Sequence, residues 1–427
     1  MIDPYVPAQG NEGYRVEHYD LDLRYTLSSN RLDGRASVAV TATEDLVALT
    51  LDLRGLTASK VLVDGRPARW RQRRGKLEVG LPSALEAGAA ATVDIRYGGH
   101  PRPMRTHWGE VGWEELEDGV TVAGQPTGAS TWFPCNDLAA EKAPFRLSMT
   151  TGSAYHVVLN GSLTSRRVGS STTTWVYEQV EPTSPYLVTC NIGRFDLVRL
   201  RDSPVRIQAA VPPALRRDFD SAFARQSEML EVFVELFGPY PFAAGYTVVV
   251  TPDVLEVPLE AQGQAIFGRN HLDGSHERLI AHELAHSWFG NSVTAASWCD
   301  VWLHEGFACY AEWLWSERSG GPTAARHAAD HHRRLAGSPQ DLVLTDPGPR
   351  AMFDDRVYKR GALTLHVLRD HLGDDAFVTV LRRWAAEHRH GVATTPQLLA
   401  LGSQVAGSPV EPALRPWLYD AALPPLP

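Results

Sequence analysis

His282-Glu283-Leu284-Ala285-His286 lies inside Ser275-His-Glu-Arg-Leu-Ile-Ala-His-Glu-Leu-Ala-His-Ser-Trp-Phe-Gly290, a run with no glycine or proline before its last residue. Such a run predicts a helix ending at Gly290. Residues four apart share one helix face, so both imidazoles can reach a single metal ion. Glu283 projects from nearly the same side, within reach of a water on that ion. The alternative is a pair of histidines on a solvated helix face, and a third ligand decides between the two.

The third ligand is read as Glu305, in Trp298-Cys-Asp-Val-Trp-Leu-His-Glu-Gly-Phe-Ala-Cys-Tyr-Ala-Glu312, with eighteen residues between it and His286. A catalytic zinc takes three protein ligands and keeps one position open, and two His with one Glu meet that need. Two helices joined by a turn at Gly290-Asn291 can bring the three together. A carboxylate facing bulk solvent would hardly sit in so apolar a run. His304, beside Glu305, points elsewhere on its helix and reads as a non-ligand. Glu312, two turns beyond Glu305, and Asp300 are candidates to hold a metal histidine by hydrogen bond. A second pair, His327 and His331, lacks an intervening Glu and reads as a solvated face.

These residues resemble the signature of the zinc metallopeptidase (gluzincin) family that contains aminopeptidase N and leukotriene hydrolase: His-Glu-x-x-His, eighteen residues, Glu, then Gly-Phe-Ala. The resemblance covers almost all of the chain. It implies an α+β architecture, a curved all-β domain followed by a thermolysin-like, mainly helical catalytic domain. The boundary is placed between residues 203 and 204, near Arg201-Asp-Ser-Pro204.

The patterning agrees with that expectation. Tyr19, Leu21, Leu23 and Tyr25 alternate with polar neighbours, as do Leu49, Leu51 and Leu53, and Val93, Ile95 and Tyr97. Asp64-Gly65 signals a hairpin. Asn160-Gly-Ser162 fits a glycosylation sequon but reads as a turn. From Pro213 to Phe237 the period becomes helical, Tyr246-Val250 reads as a buried strand, Asp374-Asp375 as a helix cap and Thr395-Pro396 as a helix start.

Three more segments carry the resemblance. In Gly124-Gln-Pro-Thr-Gly-Ala-Ser-Thr-Trp-Phe-Pro-Cys-Asn-Asp137, Gln125 stands nine residues before Pro134, where the family's side chain helps to anchor a substrate's free amine. Glu256-Val-Pro-Leu-Glu-Ala-Gln-Gly-Gln-Ala-Ile-Phe267 aligns with Gly-x-Met-Glu-Asn and makes Glu260 the amine anchor. Val257, Leu259 and Ala261 depart from that pattern. Val357-Tyr-Lys-Arg-Gly-Ala-Leu363 is similar to Tyr-Glu-Lys-Gly, with Lys359 in place of the Glu, and makes Tyr358 the oxyanion donor.

The implied activity is that of a zinc-dependent aminopeptidase with one Zn2+ per chain, held by His282, His286 and Glu305. Glu283 and zinc would activate water, Tyr358 would stabilise the oxyanion, and peptides with a free N-terminus would be the substrates. The altered loop around Glu260 keeps an endopeptidase on the same catalytic domain as an alternative, as does an end near residue 427 where a longer relative would continue. The other alternative is an inactive, zinc-bearing peptide-binding protein, against which the presence of both Glu283 and Tyr358 speaks. The formal charge of −9 argues against nucleic acid or an anionic membrane as partner. No run of eighteen apolar residues, no basic-then-apolar N-terminal pattern and four cysteines without a Cys-x-x-Cys pair point to the cytoplasm.

Overall fold

The computed structural model describes residues 2–427, which form two compact units. The first is built from residues up to 199 together with 208–216 and 243–269; the second comprises 200–207, 217–242 and 270–427. The chain thus first leaves the β unit close to the segment where the sequence suggests a boundary, and returns to it twice.

In the first unit, Tyr14–Thr26 buries Tyr19, Leu21, Leu23 and Tyr25 on one face, as a strand of period two requires. It pairs antiparallel with Arg31–Ala42 and parallel with Ala143–Gly152, at the centre of an eight-stranded sheet. Leu46–Asp52, Lys76–Leu85 and Arg69–Arg73 form a three-stranded sheet whose Leu49, Leu51, Leu77 and Val79 join the same apolar core. Asp64 and Gly65 both have positive φ (49° and 74°) and close the Thr57–Val63 hairpin, as their dipeptide predicts. Asn160 is buried, accepts from the Thr189 amide and donates to the Leu187 and Gln262 carbonyls. It is a structural turn residue with no room for a glycan.

The loop that follows Gln125 is held by its far end. Phe133 meets Tyr19 edge-on at 5.7 Å, and Cys135 exchanges both backbone hydrogen bonds with Asp52. Asp52 carries the Lys76 ammonium at 2.6 Å and accepts from the Asp137 amide at 3.2 Å. Tyr246–Thr251 is buried throughout and runs parallel to Gln264–Gly268, which pairs in turn with Leu259–Ala261.

The second unit is mainly helical. Its expected helix over Pro213–Phe237 is broken, with helices at Arg216–Ala222 and Gln226–Phe237. The histidine helix is also shorter than its sequence suggests, Glu277–Ala285 rather than reaching Gly290. The His286, Ser287 and Trp288 carbonyls accept from amides five residues on, so the turn widens and reverses at Gly290, whose φ is +113°. Trp302–Arg318 crosses Asp355–Leu372 at two glycines. A Cβ on Gly306 would lie 2.8 Å from the Cα of Gly361, so only glycine permits this approach. Asp374 and Asp375 occupy the first turn of Asp374–Glu387 but do not cap it; Gly373 is the N-cap, and Asp374 pairs with Arg369 at 2.7 Å. Thr394 and Gln397 form a capping box at Thr395–Ala406. Buried Arg360 gives its guanidinium to carbonyls of Trp417, Leu342 and Ala421, fixing the last helix. Among the described residues, no helix is long and apolar enough to cross a membrane.

Two expectations follow from this packing. Gly306→Ala gains about 1 kcal/mol of helix propensity but forces backbone apart at a cost of about 1–3 kcal/mol. The variant should melt at a lower temperature in calorimetry; an unchanged or higher Tm contradicts the crossing. The second concerns Asp137, whose carboxyl is pushed up to about 7 by burial and by the nearby Asp52. The folded state therefore binds a proton that the unfolded chain, near 3.8, does not hold at mildly acidic pH. Its contribution to stability is present below the unfolded value and is lost as pH rises towards 7. Urea midpoints should fall between pH 4 and 7, and Asp137→Asn should flatten that slope.

Candidate metal centre

His282 and Glu283 stand near the C-terminal end of the Glu277–Ala285 helix, and His286 is its C-cap. Glu305 lies in the first turn of Trp302–Arg318, with Glu312 two turns on. Donor atoms of His282, His286 and Glu305 come within 4.8 Å of one another, and all three residues are buried.

The far nitrogens of both rings are already committed. His282 Nδ1 lies 2.8 Å from Glu312 Oε1, and His286 Nδ1 lies 2.9 Å from the Phe289 carbonyl oxygen. A carbonyl can only accept, so His286 carries its proton on Nδ1, and in the neutral ring Nε2 is left with a lone pair. Both Nε2 atoms face Glu305 Oε2, at 3.4 Å and 3.5 Å. These distances are long for a charge-assisted hydrogen bond, which runs about 2.7–2.9 Å. They match the edge of a tetrahedron with metal bonds of about 2.0–2.2 Å, for which donors stand about 3.3–3.6 Å apart. The donor set fits zinc.

Electrostatics agree. Burial disfavours charge on His282, but Glu305 and Glu312 outweigh it and push the imidazole up to about 10. Glu305 is itself buried, yet the two histidines hold it well below the usual carboxylate range. Glu312 is brought down to about 2 despite its burial, first by His282, then by Lys359 and Arg278. Buried carboxylates in such number draw positive charge onto the cluster, and a dication supplies it without protonating a ligand.

Glu283 is buried beside these ligands, with a carboxylate oxygen within 4.8 Å of a His286 ring nitrogen. Tyr358 begins the second turn of Asp355–Leu372, and its ring is nearly parallel to that of His282, 16° apart with centroids at 6.1 Å. The Gly306–Gly361 crossing brings the helices of Glu305 and Tyr358 together. Gln125 and Glu260 belong to the first unit, where Gln125 Nε2 donates to Glu260 Oε1 at 2.6 Å. Glu260 is half-buried opposite Ala265; Val257 is exposed, so its side chain replaces the family's glycine without a clash inside this unit.

Some residues do other work. Asp300 touches neither histidine; it accepts from the Thr395 hydroxyl at 2.6 Å and the Thr395 amide at 3.2 Å. His304 accepts from the Ala295 amide at 2.6 Å. His327 and His331 are half-buried, and both lie nearly parallel to the Trp313 ring, at 6.0 Å and 5.2 Å. Sequence reasoning passed over the Phe289 carbonyl, a backbone atom without a sequence signal, and Arg278, one helical turn before His282.

The Peptidase M1 N-terminal domain matches residues 15–187, and the Peptidase family M1 domain matches residues 221–417. Aminopeptidase M1-B of Oryza sativa subsp. japonica is 25% identical, over 95% of this chain and 50% of its own length. Leucyl aminopeptidase of Saccharolobus solfataricus is 24% identical, over 96% of this chain and 54% of its own. The chain therefore spans about half the length of the curated relatives it matches. An M1 zinc metallopeptidase from Deinococcus radiodurans has a crystal structure that superposes with a TM-score of 0.93 at 32% identity, covering 100% of this chain and 98% of that one. A variant of that protein, solved with a Tyr-Ser-Ala substrate, superposes equally well, at 31% identity.

If His282, His286 and Glu305 are the ligands, Glu305→Ala should purify without stoichiometric zinc, read by elemental analysis. His327→Ala, from the pair stacked on Trp313, should keep it. Full zinc in the first variant would refute the assignment.

Proposed function

The chain belongs to peptidase family M1, and from that premise we propose that it is a zinc-dependent aminopeptidase. The observation that carries the proposal is the pair of Nδ1 contacts that turns both imidazole Nε2 atoms toward Glu305, with Glu283 alongside. His282, His286 and Glu305 would hold the ion. When bound, zinc supplies a Lewis acid and lowers the pKa of water towards about 7.

The chain's own residues do the rest. Glu283 takes a proton from the attacking water and returns it to the leaving amine. Tyr358 donates its hydroxyl to the oxygen on which negative charge develops, a contribution of about 3–4 kcal/mol for a preorganised donor. Glu260 binds the substrate's α-ammonium. The Gln125 amide supports this role: donating to one Glu260 oxygen, it restricts the carboxylate's rotation and holds it in place for the ammonium. Capture of a free amine sets exopeptidase register, so the substrates are peptides with an unblocked N-terminus. The names of the similar aminopeptidases support the same reading.

We place the protein in the cytoplasm, supported by four free cysteines of which Cys135, Cys190 and Cys309 are buried. Nucleic acid and membrane are not among the proposed partners, in keeping with the formal charge of −9. The proposed division at residues 203 and 204 falls between the two stretches that match the family's domains.

Glu260→Ala is the discriminating variant. Truncating one partner of a hydrogen-bonded charge pair costs about 2–5 kcal/mol, so kcat/KM on a free-amine peptide should fall roughly thirtyfold or more. An N-acetylated peptide has no ammonium to lose and should be cleaved as poorly as before. Equal losses on both substrates, or efficient cleavage of the acetylated one by the unaltered protein, would indicate an endopeptidase. Glu283→Gln should keep zinc while turnover falls by about 10²–10⁴-fold.

A further inference from the structure

Glu312 uses both carboxylate oxygens. Oε1 meets His282 Nδ1 at 2.8 Å, and Oε2 meets Arg278 Nη1 at 3.2 Å. Its side chain is 6% exposed and that of His282 9%, whereas that of Arg278 is 59% exposed. Arg278 therefore connects solvent to a ring nitrogen of a proposed metal ligand through one buried carboxylate. It reaches Glu312 because it lies four residues before His282, one turn back on the same helix face.

On its exposed side Arg278 lines a cavity of about 490 Å³, with Arg225, Glu277, Trp313, His327 and His331 also in its wall. Arg225 is engaged elsewhere, on Glu228 and Glu277 and over the Trp315 ring at 4.5 Å. Lys359 is nearly buried, 3.3 Å from Cys309 Sγ and 3.7 Å from Asp355, and its charge also favours the ionised Glu312. Lys359 supplies charge; the hydrogen bond on the outer Glu312 oxygen comes from Arg278.

We propose that Arg278 is a positioning residue for the metal centre, acting on His282 through Glu312. The competing view is an ordinary surface ion pair, which contributes little when both partners are wet. That view fails here because Glu312 is buried and its rotation is coupled to an imidazole. A carboxylate turns easily about its terminal torsion. With only His282 holding it, Glu312 could swing and carry the ring out of line with Glu305. Pinned at the outer oxygen, it keeps Nδ1–H directed at Glu312 Oε1 and Nε2 directed at the metal position, which is how hydrogen-bond partners of metal ligands raise affinity.

This inference rests on reading His282, His286 and Glu305 as a zinc site, and the test separates the two. Zinc content of the unaltered protein checks that reading, since absence of zinc there refutes both. The rate of zinc release to a chelator checks the role of Arg278. Glu312→Ala should release zinc about 10–100 times faster, as loss of a ligand's own partner does. Arg278→Ala should release it about two to five times faster, the range open to a partly exposed pair. Its KM should be unchanged and its melting temperature close to that of the unaltered protein. Arg278→Lys, which keeps charge and reach, should stay near the original rate.

Raising ionic strength should speed zinc release from the unaltered protein and have little effect on Arg278→Ala, since salt screens the exposed half of the relay. In a Glu312→Ala background, adding Arg278→Ala should change nothing, because the two act in series. Release from Arg278→Ala at the original rate overturns the proposal. So does an Arg278 effect that persists without Glu312, or a lysine variant as fast as the alanine one.

Discussion

Buried negative charge is the constraint around which the catalytic unit is arranged. Glu283, Glu305 and Glu312 lie within one small volume with two imidazoles, and burial alone would make each carboxylate costly to ionise. Glu305 and Glu312 remain ionised because positive charge faces them. His282 is drawn toward its charged form, Arg278 meets Glu312 Oε2 at 3.2 Å, and the charge of Lys359 also favours the ionised Glu312. On the inner side the two Nε2 atoms converge on Glu305 Oε2. A divalent ion held there would complete the balance of so polar a cluster inside an aromatic-rich helical core.

Backbone geometry converts that charge requirement into a site. The histidine helix stops at Ala285 because hydrogen bonds five residues long take over, and the same widened turn aims the Phe289 carbonyl back at His286. A helix continuing to Gly290 would point that carbonyl along its axis and away from His286, leaving the ring's tautomer unspecified. The glycine crossing does equivalent work for the other ligand. With Gly306 and Gly361 in backbone contact, close packing brings the helices of Glu305 and Tyr358 together.

What was legible in the sequence follows from the range of each interaction. The i, i+4 histidines are a property of one helix, and the distance to Glu305 that of two consecutive ones, so local periodicity and spacing suffice. The β patterning of Tyr14–Thr26 and the Asp64-Gly65 turn are local in the same way. Glu312 could be named as a candidate but not separated from Asp300, since both are acidic residues near the ligand helix. Only the fold reveals that Asp300 faces Thr395, far along the chain. The stacking of the His327–His331 pair on Trp313 could not be read from the sequence, because Trp313 belongs to another helix. The Phe289 carbonyl was invisible, since any residue carries one.

The departures from the family's motifs fall into two kinds. Around Glu260, Val257 is exposed and Ala261 is buried, while the Gln125–Glu260 contact that defines the proposed amine site is intact. Those substitutions alter the surroundings of the carboxylate and leave its support unchanged. Lys359 differs, because it exchanges a negative group for a positive one beside Tyr358 and near the carboxylate that holds His282. A glutamate at this position would add a further negative charge to the cluster, and Glu312 would then depend on Arg278 alone for cationic support on its outer side. With Lys359 there, the buried carboxylate is stabilised by an ammonium that solvent barely reaches. Arg278, half in water, is left free to orient Glu312 and is not also required to keep it charged.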